Sequence, residues 1–170
     1  SKKYIKNEIN NKNNKEIIKK GIGMSIFLHG CGFTGSGERD FIKAVVKLLK
    51  HKDDKVEILV ANTDMGQGLQ TTLRKIVAQV LGINYDEIIY NNPDTDRVPD
   101  SGPTAASRSV MVVGKLLERA AKKLKVQWID KKEQIIIESY KHPDLIPWDE
   151  KNFCGDAYPS YSWGVNVVEV

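Results

Sequence analysis

The feature that most constrains the fold is an apolar stripe in the middle of the chain. Its members recur at intervals of three and four positions and are Leu69, Leu73, Ile76, Val77, Val80 and Leu81. This spacing places them on one face of an α-helix, and Gly82 follows where helices commonly end in a left-handed residue. A second stripe predicts a longer helix over about 105–124, whose inward residues are Val110, Val113, Leu117, Ala120 and Leu124.

The other apolar runs predict strands. Asp53 and Asp54 separate two of these runs, 44–49 and 56–61, so this part is predicted to be a hairpin. The further strand candidates are 23–29, 87–91, 127–129, 134–137 and the last ten residues, with loops at 30–37 and 142–159. Hairpins and helices without strict βα alternation predict an α+β fold of mixed or antiparallel strands. We expect one domain over 21–170, preceded by a basic segment at 1–20.

The charge lies mainly in that first segment. The 170-residue chain has a net charge of +4, but residues 1–20 hold seven Lys and two Glu, which leaves the remainder at −1. A near-neutral body gives no basic face for nucleic acid. No apolar run approaches the roughly 20 residues of a membrane span. With no export signal, we expect a cytoplasmic protein in which Cys31 and Cys154 are reduced.

Two alternatives arise from the loop and from the basic segment. Residues 30–35 spell G-x-G-x-x-G after a predicted strand, as in a dinucleotide-binding turn, and Asp53, Asp54 or Glu57 could supply the acidic partner. The hairpin predicted after this loop argues against that function, because the motif needs a helix there. The chain could instead be a non-catalytic subunit-contact domain with residues 1–20 as a docking arm.

Two stretches rich in glycine and small residues precede the helices. Met65-Gly66-Gln67-Gly68 lets a ligand approach the backbone, and the Gln67 amide could pair with a flat heterocycle. Free N–H groups at the start of the following helix would suit an anion. In the stretch 101–109, Thr104 is a natural N-cap, and the hydroxyls continue past the first turn. The pair of sites suits a cofactor that carries both a ring and a phosphate.

The segments Thr63–Thr71 and Asp94–Arg108, in this order and spacing, resemble the molybdenum-binding subunit of the xanthine dehydrogenase and aldehyde oxidase family. The C-terminal run from Tyr158 resembles the strand that follows in that family. The likeness covers about 21–170. The resemblance implies a molybdopterin site, with the cytosine dinucleotide form as one expectation. The implied cofactor residues are Met65, Gly66, Gln67, Gly68, Thr104, Ala105, Ala106, Ser107 and Ser109, with Ala106 near the molybdenum and no residue ligating it directly.

The resemblance also bears on the substrate. Phe33 stands where a substrate-packing Phe is expected, whereas His29 replaces an earlier Phe of that pair. The intact enzyme would hydroxylate a purine, another heterocycle or an aldehyde with oxygen from water. Its expected partners are the remainder of the molybdenum subunit and iron–sulfur and FAD domains or subunits, in a homo-oligomer.

Three motifs of the resembled family are absent from this sequence. They are F-G-G-K-E, A-F-R-G-F-G and the G-E that carries the catalytic base, so no residue here is assigned a catalytic role. The chain begins without Met and ends within a strand-like run. We therefore expect a piece of a longer chain, inactive by itself.

Overall fold

The computed structural model describes residues 20–35 and 37–170 and divides them into two compact units. The first unit contains residues 20–29 and 161–170, which lie in a two-stranded ribbon of β1 (Ile22–Cys31) and β6 (Ser160–Glu169). Reciprocal backbone hydrogen bonds join Gly21 and Val170 at 2.7 and 2.9 Å, a pattern typical of antiparallel strands. The ribbon confirms the extended segments predicted at both ends. The basic segment 1–20 lies outside the described residues except for Lys20.

The second unit, residues 30–160, is built on a four-stranded sheet in the order β4-β3-β2-β5. The strands are β2 (Val45–Lys50), β3 (Val56–Leu59), β4 (Ile88–Ile89) and β5 (Gln134–Ser139). Strand β2 pairs antiparallel with both β3 and β5, whereas β4 runs parallel to β3. The predicted hairpin is confirmed, with Lys50 opposite Val56. The α+β fold class is also confirmed.

Among the described residues, three α-helices accompany this sheet: α1 (Gly37–Asp40), α2 (Leu69–Leu81) and α3 (Lys115–Val126). Helix α2 has the predicted bounds, and Gly82 ends it with a φ of 78°. Helices α2 and α3 pack against each other, and α3 also packs on β2 and β5. The apolar stripes meet the sheet in one core that includes Val46, Leu48, Val56, Ile58, Leu73, Val77, Leu117, Ala120 and Leu124. In the described part of the chain, no helix is long and apolar enough to cross a membrane.

The second helix does not begin where its stripe predicts. Helix α3 is preceded by a π-helical stretch, Ser109–Gly114, so helical structure begins at Ser109 rather than at about 105. Ala106 and Ser107 have φ values of 52° and 54°, which lie in the left-handed region and interrupt any helix through 105–107. The prediction of Thr104 as the N-cap is therefore wrong. The wider π turn also changes the phase of the stripe, so Val110 is about half exposed rather than inward.

Two strand predictions also need correction. Residues 127–129 form no strand, because the chain turns there after α3 and the Trp128 ring packs under the Lys50 ammonium at 4.6 Å. The predicted strand 87–91 is reduced to the two residues of β4. Before it, Tyr85–Glu87 form a 3-10 turn, which Asn84 and Glu87 close with a capping box.

Candidate functional site

The turn before α2 is organised by one carboxylate. Asp64 Oδ1 accepts the N–H groups of Gly66 at 2.9 Å and Gly68 at 3.3 Å, and its Oδ2 accepts that of Gln70 at 2.9 Å. These bonds, with the one from Gln70 largest, lower the pKa of Asp64. The free N–H groups predicted here for an anion are thus bound by the chain itself. An Asp followed by Gly at the second position is the signal that could have predicted this turn.

The Gln67 amide is folded back onto the same turn. Its Oε1 accepts the Met65 N–H at 2.6 Å, and its Nε2 donates to the Thr63 carbonyl at 3.0 Å. Gly66 and Gly68 have φ values of 110° and 78°, and a Cβ at either would meet no atom within 4 Å. The turn therefore presents an open backbone face that a flat ligand could approach closely.

A buried side chain joins this turn to the second stretch of small residues. Asn62 Nδ2 donates to Thr104 Oγ1 and to Ser109 Oγ, each at 3.3 Å. The Thr104 hydroxyl also accepts the Thr63 N–H at 3.0 Å. The hydroxyl predicted to cap a helix thus links the two segments instead. Asn62, which is 1% exposed, was not identified from the sequence.

The two segments line an open cavity of about 380 Å³. Its lining comes from the turn, the start of α2 and the stretch after Thr104: Met65, Gln67, Leu69, Thr72, Thr104, Ala105, Ala106, Ser107, Ser109 and Val110. Seven of the nine proposed cofactor residues line it, and the other two are the glycines on either side of Gln67. The lining is neutral, with amide and hydroxyl groups among apolar side chains. This composition is typical of sites for small organic molecules.

The two predicted substrate residues do not belong to this lining. Phe33 lies in the loop after β1, where its side chain would contact any Cβ placed at Gly37. His29 is exposed near the end of β1, in the ribbon of the first unit. Neither residue has a geometry here that assigns it a ligand.

The G-x-G-x-x-G loop lacks the features of a dinucleotide site. A Cβ at Gly30 would lie 2.3 Å from the Tyr158 ring, and one at Gly35 would lie 3.0 Å from Trp148. The N–H groups of Gly32 and Gly35 donate to the carbonyls of Ala106 and Ala157. The helix that follows, α1, has only four residues. The glycines therefore accommodate the chain's own side chains and leave no cradle for a pyrophosphate.

Metal-ligating side chains do not cluster in the described residues. No group of three or more His, Cys, Asp or Glu is placed there to hold an ion. Cys31 and Cys154 are not joined in a disulfide. The side chains that line the cavity offer hydrogen-bonding amide and hydroxyl groups and apolar atoms for packing.

Tyr90 is buried directly after β4, and its hydroxyl donates to the Asn62 carbonyl at 2.8 Å. Replacing Tyr90 by phenylalanine is expected to make the stability of the chain less sensitive to alkali. Burial, and secondarily the charge of Asp64, raise the pKa of Tyr90 from 10.0 to about 12. The unfolded chain releases this proton near pH 10, earlier than the folded chain, so stability falls as the pH rises from 10 toward 12. Between roughly pH 9 and pH 11, the urea midpoint should therefore fall less in the variant than in the wild type. An equal fall in both would contradict this prediction.

Comparison with known proteins gives the chain a family context. The family model described as "Molybdopterin cofactor-binding domain" matches residues 2–142. The carbon monoxide dehydrogenase large chain of Afipia carboxidovorans is 30% identical over 146 residues, which are 82% of this chain and 17% of that protein. The xanthine dehydrogenase of Oryza sativa is 32% identical over 103 residues, which are 60% of this chain and 7% of that protein. The chain thus spans less than a fifth of the length of either relative.

Solved structures show the same fold. The aldehyde oxidoreductase from Desulfovibrio desulfuricans superposes with a TM-score of 0.77 and 21% identity, over 96% of this chain and 19% of that one. The carbon monoxide dehydrogenase from Oligotropha carboxidovorans gives a TM-score of 0.71 and 18% identity, over 99% of this chain and 26% of that one. At these identities the likeness is one of fold.

Proposed function

The chain belongs to the molybdopterin cofactor-binding domain family, and on that premise we propose that the cavity between residues 65–69 and 104–110 holds part of the cofactor. The observation that carries the proposal is the convergence of the two segments on one neutral cavity. Asn62 and Thr104 hold these segments together by hydrogen bonds.

The residues present fit a pterin ring. A planar heterocycle needs a narrow space with amide and hydroxyl partners at its edge and apolar atoms on its faces. The open backbone at Gly66 and Gly68 allows close approach, and Gln67 has both a donor and an acceptor. Since Gln67 is now bonded to Met65 and Thr63, its contact with a pterin would require it to exchange those local bonds for ligand bonds.

The phosphate is proposed to lie at the other side of the cavity. Asp64 already occupies the N–H groups at the start of α2, and its negative charge disfavours a phosphate there. The hydroxyls of Thr104, Ser107 and Ser109 can donate to an anion. Ser109 also begins a helical path, whose first N–H groups have no partners within the helix. We therefore assign the ring to residues 65–68 and the phosphate to residues 104–109.

The activity of the whole protein is also part of the proposal. The chemistry that a bound molybdenum cofactor supplies is oxidation of a substrate with oxygen from water. We propose a cytoplasmic hydroxylase like xanthine dehydrogenase, acting on a purine, another heterocycle or an aldehyde, with Phe33 and His29 on the substrate side. Iron–sulfur and FAD domains or subunits would take the electrons, the cytosine dinucleotide form would be the cofactor, and the assembly would be a homo-oligomer. This chain's own residues would bind and orient the cofactor and exclude water.

Binding of a molybdopterin derivative tests the site. The probe is the fluorescent oxidised derivative of molybdopterin, which keeps the pterin ring and the phosphate, and it is titrated into the 170-residue chain. Ala105→Phe is expected to weaken binding at least about tenfold, because the exposed Ala105 lines the cavity and a phenyl ring would fill it.

The matched control is Thr95→Phe, which adds the same ring at an exposed loop position away from the cavity. This variant should bind the probe like the wild type. The proposal would be overturned if the wild-type chain failed to bind, or if Ala105→Phe bound as tightly as the control.

A further inference from the structure

Two neighbouring residues of the cavity lining have a backbone conformation that is rare for residues other than glycine. Ala106 and Ser107 both lie in the left-handed region, with φ values of 52° and 54°. A Cβ is unfavourable there, so such conformations persist only where the surroundings enforce them. The contacts that enforce this one must come from outside the two residues, since neither side chain makes a bond that would select it.

The residue that follows is fully buried and charged. Arg108 Nε donates to Glu38 Oε1 at 2.5 Å, and Glu38 is only 1% exposed. Arg108 Nη1 donates to the carbonyls of Ser101 and Pro103, each at 3.0 Å. The Arg108 guanidinium thus fixes the backbone at Ser101 and Pro103, which precede the strained turn. The backbone of Arg108 itself follows that turn directly.

The G-x-G-x-x-G loop supplies the other half of this arrangement. The Gly32 N–H donates to the Ala106 carbonyl at 2.8 Å. A Cβ on Gly32 would lie 3.2 Å from Met111 and 3.7 Å from Glu38, and its φ of 92° suits glycine. The loop therefore brings both Gly32 and, through α1, Glu38 to the strained turn.

We propose that Arg108 and Glu38 form a positioning pair that sets the geometry of the Ala106–Ser107 backbone in the cofactor cavity, with the glycine loop as its support. This inference rests on the proposed function for its ligand. A buried ion pair is a poor source of stability, because two apolar side chains of similar volume often stabilise a core at least as much. What a guanidinium adds is a rigid set of directed donors, which here join one carboxylate and two carbonyls.

Conservative variants in the 170-residue chain test the pair. Glu38→Gln removes the negative charge but leaves a side-chain acceptor. Arg108→Lys keeps the positive charge but loses the planar guanidinium with its directed N–H donors. Each is expected to weaken binding of the oxidised molybdopterin derivative about ten- to a hundredfold, because the charged hydrogen bond loses its anionic acceptor in one variant and its direction in the other. The matched control is Glu118→Gln, which removes an exposed ion pair with Lys115 and Lys122 on α3.

Hydrogen exchange separates positioning from general stability. In Glu38→Gln and Arg108→Lys, the Gly32 amide should exchange about ten times faster or more, since its acceptor Ala106 is released, while the amides of β2 keep their protection. Glu118→Gln should change neither amide exchange nor binding. The inference would be overturned if both variants lost protection equally in β2 and at Gly32. It would also be overturned if the Gly32 amide exchanged as it does in the wild type.

The two proposals fail in different ways. If the wild-type chain does not bind the probe, the proposed function fails, and the Gly32 exchange of the two variants still decides whether the pair positions the turn. If the wild type binds and both variants bind equally well, the positioning inference alone is overturned.

Discussion

Replacing Arg108 by leucine is expected to lower the free energy of unfolding by about 3–5 kcal/mol. The loss arises because Glu38 would remain buried without its opposite charge, and because the carbonyls of Ser101 and Pro103 would lose their donor. Urea unfolding followed by circular dichroism at neutral pH measures this difference. A loss of unfolding free energy below about 1 kcal/mol would contradict the assignment of Arg108 and Glu38 as a buried ion pair, since exposed ion pairs contribute that little.

The double variant Arg108→Leu with Glu38→Leu serves as the internal control. It leaves no unpaired charge in the interior, so much of the stability should return, and the two losses should not add. Probe binding should nevertheless stay weak in this variant, because leucine cannot hold the two carbonyls. If the double variant regained both stability and binding, the pair would be a replaceable part of the core.

Replacing Leu117 by alanine is expected to cost about 2–5 kcal/mol. Leu117 is fully buried on α3, in the core that α3 shares with α2 and the sheet, so the truncation leaves a cavity that rigid neighbours cannot fill. Val126→Ala at the end of the same helix is the matched control, since Val126 is 88% exposed and its change should stay within about 0.5 kcal/mol. Similar urea midpoints for the two variants would contradict the assignment of α3 to the core.

The sequence predicted the regular core well because its signals there are local. The stripe from Leu69 to Leu81 and the following Gly82 define α2 to the residue, and Asp53-Asp54 correctly separates β2 from β3. In both cases the periodicity of the apolar residues agrees with the turn chemistry. A segment can be predicted when its apolar periodicity and its turn residues indicate the same structure.

The parts that could not be predicted depend on contacts between distant residues. Ala106 and Ser107 have no intrinsic preference for the left-handed region, and Arg108, Glu38 and Gly32 lie up to 76 positions apart in the chain. The same holds for Asn62, which is 42 positions from Thr104. These long-range bonds move the helix start from 105 to 109 and turn the expected cap into a link between two segments.

The candidate site was found from composition and resemblance, and its residues remain a prediction. Small residues before two helices indicated where a ligand could approach, and the structure brings those stretches to one cavity. The role of Asp64 was missed, although an Asp two positions before Gly is a known turn signal. Recognising this turn would have excluded the start of α2 as an anion site, because Asp64 already accepts its N–H groups.

Binding of the cofactor in this cavity is tested most directly by a map of backbone amide shifts in the 170-residue chain during titration with the oxidised molybdopterin derivative. We expect the largest shifts on residues 65–68 and 104–109, the two segments that line the cavity. We also expect a smaller shift at Gly32, which is bonded to Ala106. Shifts confined to other parts of the sheet, or no shifts with the probe in excess, would contradict the assignment of this cavity to the cofactor.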